Sequence, residues 1–175
     1  MNNMQTTTSR NQTAAKSAAL GNGFIRAMIH GIYAGIAAGF IVLVPVLILQ
    51  LARGIGVVPE MQLAASSLMG MAAYAGVTGL VLGTLLHFFV SIVPALAYAL
   101  VMWGAPALNR WAWIGGPVLG LIVFFFMGFA ILPLSVFTTP PSVTPMPFIP
   151  AILIHMFCLG LPIALIIRKK ASPVE

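Results

Sequence analysis

The sequence predicts an all-α membrane protein: a bundle of four transmembrane helices with a short interfacial helix between spans one and two. Three observations predict it. Hydrophobic residues make up 61% of the 175-residue chain and charged residues 6%, with a mean hydropathy of +1.08. A soluble domain carries about a quarter charged residues, so most of this surface must face lipid. Four apolar runs are long enough to cross a bilayer at the helical rise. The basic residues gather at the ends of those runs, as topology signals do. The net charge of +6 is therefore read as a match to anionic headgroups, with no role for nucleic acid.

The chain opens with residues 1–23, rich in Asn, Gln, Thr, Ser and Ala. So few large apolar residues give no reason to fold alone, and the stretch is read as a disordered cytoplasmic tail. The transmembrane domain occupies residues 24–170. Span one covers about 25–51 and carries Gly31-Ile-Tyr-Ala-Gly35-Ile-Ala-Ala-Gly39. Small residues four apart let a second helix backbone come close. Pro45 is expected to kink its outer half. In the connection that follows, Pro59-Glu60 suits the first turn of a helix. Met61 to Met71 continues as the interfacial helix, and Gly70, Gly76 and Gly79 mark its separation from span two.

Span two covers about 79–103. Gly79, Gly83, His87, Ser91 and Ala95 recur every fourth residue, which makes one stripe of small residues with a histidine inside it. Trp103, Trp111 and Trp113 bracket the next turn at headgroup level. Span three covers about 114–137, with Gly116 and Gly120 as a further small pair. Thr138 to Pro147 is an uncharged connection expected in extended proline conformation. Span four covers about 149–167 and stops at Arg168-Lys169-Lys170, followed by a short tail over 171–175. With the N-terminus inside, Arg53 is the one basic residue outside among the 8 in the chain. The positive-inside rule then puts both termini in the cytoplasm.

Composition excludes several chemistries. The acids are Glu60 and Glu175, and the one cysteine is Cys158. A carboxylate pair, an internal disulfide and a cysteine-based metal cluster are thereby excluded within one chain. No Walker, Rossmann, nucleophile-elbow or metalloprotease motif is present. What remains is a polar site of His87, Ser91 and His155. Both histidines enter from the outer side, roughly 12 Å and 9 Å deep by helical rise, close enough in depth to share a hydrogen bond between facing helices. The alternative is that each imidazole bonds a backbone carbonyl or Ser91 and fixes helix register. Two histidines alone make an incomplete zinc site, although they could serve as axial haem ligands.

The order His87-x-x-x-Ser91, Tyr98, Trp113-x-Gly115, Pro133-Leu134, Thr139-Pro140-Pro141, His155 and Arg168 resembles the YagU-like family of small bacterial inner-membrane proteins, a domain of unknown function. The resemblance covers about residues 79–168. It implies four spans, a bacterial inner membrane, and His87, Ser91 and His155 as shared marks, and it implies no activity. Val58-Pro59-Glu60-Met61 to Met69-Gly70 also resembles a second group of short four-span bacterial proteins.

Three functional classes follow. The first is a non-catalytic accessory or scaffolding component that packs against other membrane subunits or itself through Gly31, Gly35, Gly39, Gly79, Gly83, Gly116 and Gly120. The second is an oligomeric proton-linked conduit or transporter using His87 and His155. The third is a haem- or quinone-associated redox subunit. The first class needs no catalytic residue, metal or cofactor, only the bilayer and its partners.

Overall fold

Why span one stops where it does is plain from its last residues. Gly54 adopts φ +77°, a left-handed conformation that costs glycine nothing. Its N–H then reaches Leu51 O at 3.0 Å, and Ile55 N–H reaches Gln50 O at 2.8 Å. This double bond pattern is a Schellman cap, completed by the burial of Ile55. The chain turns over there and starts the interfacial helix.

The computed structural model describes the backbone of residues 2–170 and the side chains of residues 20–168. Helix α1 covers Asn2–Ala52, α2 Val57–Met69, α3 Val77–Gly104, α4 Ala112–Phe126, α5 Phe148–Ile154 and α6 Leu161–Lys170. Four stretches are long and apolar enough to cross a membrane: Leu20–Ala52, Val77–Gly104, Pro106–Ile131 and Phe148–Arg168. These are spans one to four, and the protein is an all-α, four-helix, multi-pass membrane protein. The backbone of α1 is helical back to Asn2 through the stretch read as a tail, while side chains before Leu20 lie outside those described. The tail over 171–175 also lies outside the described residues.

Span three ends earlier than the hydropathy suggests. It passes through a π-helical turn at Met127–Ile131 and is followed by turns from Leu132. Span four is α5, a π-helical turn at His155–Gly160, and α6. Pro162 has no N–H to give the Cys158 carbonyl, and the helix widens in the turn before it.

Side by side, the spans run in the order two, one, four, three. Short connections usually make neighbours of the helices they join. Spans two and three, joined by the 3-10 turn Pro106–Trp111, nevertheless touch little. Glycine faces decide otherwise. On span one, a Cβ at Gly31 would stand 3.1 Å from Leu96 Cα, one at Gly35 2.5 Å from Ile92 Cα, and one at Gly39 2.9 Å from the Phe88 ring. Span two therefore lies in the groove of span one. The core between spans one, two and four is correspondingly small-grained: Ala34, Ala38, Ala95, Ala99 and Ala164 are all buried. Without a hydrophobic drive in lipid, this close approach supplies the dispersion contacts that hold the helices. Gly35→Ala is expected to lower stability by about 2 kcal/mol, because backbone cannot yield as a side chain can. Val44→Ala on the 58% exposed face should change little. Detergent-induced unfolding of the two variants checks the contrast, and equal losses would remove the packing face.

Candidate functional site

The polar side chains fall into two groups, one inside the bundle and one at the end where α2 lies. Inside, the small stripe of span two presents His87 toward span one. Its Nε2–H donates to the Gly39 carbonyl at 2.9 Å. A carbonyl only accepts, so the proton on neutral His87 sits on Nε2 and Nδ1 keeps a lone pair. One turn on, Ser91 is buried and its hydroxyl donates to the His87 carbonyl at 2.8 Å. His155 lies at the start of the π-helical turn of span four. Its Nδ1–H donates to the Ala151 carbonyl of its own helix at 2.7 Å, and the ring stands edge-on to Phe124 of span three with centroids 5.3 Å apart.

No hydrogen bond joins the two rings among the described residues. Each neutral imidazole has one donor, and each gives it to a backbone carbonyl. The remaining nitrogens, Nδ1 of His87 and Nε2 of His155, are both acceptors and cannot bond one another directly. The shared bond that depth alone suggested is thus replaced by two backbone locks. Only the His87 lock crosses between helices. His87→Ala is expected to cost about 1 kcal/mol, in the range of interhelical hydrogen bonds in membranes. His87→Asn, whose amide can donate to Gly39, should recover part of it, whereas His155→Ala should cost less. Unfolding in graded SDS measures all three. Recovery absent in His87→Asn and a larger loss in His155→Ala would contradict the assignment.

The remaining small residues divide by position. Gly79 and Gly83 do not meet another span. A Cβ at Gly79 would run into the Ala73 carbonyl, and one at Gly83 into the Met61 carbonyl. The N-terminal half of the span-two stripe therefore receives α2 and the 3-10 turn Gly70–Tyr74, and its C-terminal half receives span one. Gly116 and Gly120 receive span four: Leu161 Cα lies 2.7 Å from a Cβ at Gly116, and Met156 Cα 2.7 Å from one at Gly120. Gly160 answers from span four, its Cβ position filled by Gly116 and Gly120 backbone.

At the end of the bundle where α2 lies is a polar hub. Gln50 is fully buried. Its Nε2 donates to Glu60 Oε2 at 2.6 Å, and its Oε1 accepts from Arg53 Nη1. The amide orientation follows from these partners, since a carboxylate accepts and a guanidinium donates. Arg53 Nη2 continues to the Pro145 carbonyl at 3.2 Å. Span one, α2 and the proline-rich loop are thus tied through one amide. Burial holds the Glu60 carboxyl above its ordinary range, offset by Gln50 and then by the charge of Arg53. Further bonds fasten the same cap. Gln62 Nε2 donates to Gly76 O at 3.0 Å, Val136 N–H to Ser67 O at 3.2 Å, and Tyr74 O–H to Thr138 O at 3.3 Å. The loop expected to be an extended connection is docked on α2, with Val143 buried.

Gln50 and Gly160 are not among the residues that the sequence singles out. Signals for both were present: Gln50 and Arg53 are one turn apart at a helix end, and Gly160-Leu-Pro-Ile-Ala164 is a small-xxx-small pair. No cluster of three or more His, Cys, Asp or Glu that could hold a metal occurs among the described residues. Comparison with protein-family models, curated proteins and solved structures found no match to this chain.

Proposed function

We propose that this protein is a non-catalytic accessory or scaffolding component of a membrane assembly, seated in a bacterial inner membrane, as its resemblance to the YagU-like family implies, with both termini cytoplasmic, as the placement of its basic residues implies. The observation that carries the reading is the use made of the intramembrane imidazoles. Both N–H donors are engaged by backbone carbonyls, at 2.9 Å from Gly39 O and 2.7 Å from Ala151 O. The His87 bond crosses from span two to span one and so fixes helix register, while the His155 bond occupies its donor within its own helix. The outer cap, held by Gln50, Arg53 and Glu60, presents a rigid plate on the far side of the bilayer. Purification of the native protein in mild detergent tests the reading. A stoichiometric membrane-protein companion, or a stable self-associated form, is the expected result.

A second reading as a proton-linked conduit is favoured by one observation. Each imidazole donates from one nitrogen, which leaves His87 Nδ1 and His155 Nε2 as acceptors inside the membrane-spanning bundle. Each can take up a proton there. Proton flux in proteoliposomes that disappears in His87→Asn, with the fold intact, would displace the accessory reading. The proposed topology has its own check. A cysteine at Ser142, in a Cys158→Ala background, should react with a membrane-impermeant reagent in intact cells, and one at Ser172 should not. The reverse pattern would invert the orientation.

A further inference from the structure

At the end of the bundle opposite the Gln50 hub, spans one, two and four leave a cavity of about 450 Å³. Its wall is apolar: Ala99, Met102 and Ile167. Its polar side is Arg26, His30 and Trp103. Arg26 and His30 are one turn apart on span one, so both reach the same opening. The indole of Trp103 is held by an edge-to-face contact with Phe24, centroids 5.6 Å apart. Its Nε1 lies against Gly23, where a Cβ would come to 3.1 Å. A larger residue at Gly23 would push the indole aside. Arg26 and Trp103 are both exposed at the rim, so the cavity is open to the surface.

Charge identifies the occupant. Arg26, Arg110 and Arg168 all stand at this end, and the one acidic side chain among the described residues, Glu60, is at the other. Among the described residues no carboxylate stands at this end to receive the amine of a zwitterionic headgroup. A guanidinium and an indole N–H beside an apolar wall suit a phosphate that carries acyl chains. The volume suits a headgroup-sized ligand. We propose that this cavity binds the phosphate of an anionic phospholipid headgroup from the adjoining leaflet, with Arg26 as its charged partner and Met102 and Ile167 along its chains. The proposal is independent of the accessory function.

The test is thermal unfolding of the full-length protein in mild detergent, titrated with short-chain phosphatidylglycerol, with phosphatidylcholine of equal chain length, and with inorganic phosphate. Phosphatidylglycerol is expected to raise the midpoint saturably and the other two to leave it unchanged. Arg26→Gln should weaken the apparent affinity for phosphatidylglycerol about fivefold, while Arg110→Gln at the same end leaves it unaltered. Trp103→Phe, which keeps the ring and drops the N–H, should also weaken it about fivefold, and serves if Arg26→Gln is unstable. An equal response to phosphatidylcholine would overturn headgroup recognition. An equal response to inorganic phosphate would overturn the lipid as its source. A loss in Arg110→Gln as large as in Arg26→Gln would reduce the effect to diffuse charge and overturn the site.

Discussion

Gly120→Ala is expected to lower stability by about 3 kcal/mol, near the upper end of overpacking effects. The added methyl has nowhere to go. At Gly120 it would overlap the His155 carbonyl and press within 2.7 Å of Met156 Cα. Both obstacles are backbone, and both belong to the π-helical turn at His155–Gly160. Relief would need spans three and four to separate along the Gly116–Gly120–Gly160 seam. That movement also disturbs the Phe124–His155 ring contact at 5.3 Å. Gly128→Ala is the natural control, since a Cβ there meets nothing within 4 Å. Alanine also favours helix over glycine by about 1 kcal/mol, so Gly128→Ala should be neutral or slightly stabilising. The SDS concentration at half-unfolding reports both, and comparable midpoints for the two variants would mean that the seam does not hold spans three and four.

How much of this was legible in the sequence depends on what each residue pattern encodes. The four spans were, because a run of some twenty apolar residues has one stable solution in lipid. The break before span two was as well, because Gly70 and Gly76 sit at φ +55° and +154°, values that side chains disfavour. The end of span three was not. Hydropathy stays high to Phe137, whereas the helix stops where the π turn hands over to a loop docked on α2. Small stripes announce that some backbone comes close and leave its identity open. Gly79 and Gly83 meet α2 and its 3-10 extension, and Gly31 to Gly39 meet span two. The histidines posed the same difficulty. Depth placed them near one another, but the choice between a neighbouring ring and a carbonyl rests on which acceptor lies nearest the one available proton.

Replacing Gln50 by leucine is expected to destabilise the protein by about 3 kcal/mol at neutral pH, in the range for hydrogen bonds to charged groups. Leucine fills the space, so the loss is polar. Glu60 loses the 2.6 Å bond from Nε2, and Arg53 loses its acceptor at Oε1. The pH dependence separates the two. Burial raises the Glu60 pKa above 4.5, while Gln50 and Arg53 oppose the rise; Tyr74 also feels the carboxylate charge. A raised folded-state pKa means that the native state holds more protons than the unfolded one above pH 4.5. Its contribution to stability is complete below that pH and is lost as pH rises through the folded value. Removing Gln50 removes one opposing influence, so the folded pKa climbs further and the losing window widens upward. The deficit of Gln50→Leu should therefore be larger at pH 7 than at pH 4, and the part that persists at pH 4 belongs to Arg53. Glu60→Gln should flatten the pH profile of the parent protein over this range. In the double variant the deficit should no longer depend on pH. Unfolding midpoints from pH 4 to pH 8 for the four proteins give the answer, and a Gln50→Leu deficit that is constant with pH, or greater in acid, would break the link between this amide and Glu60.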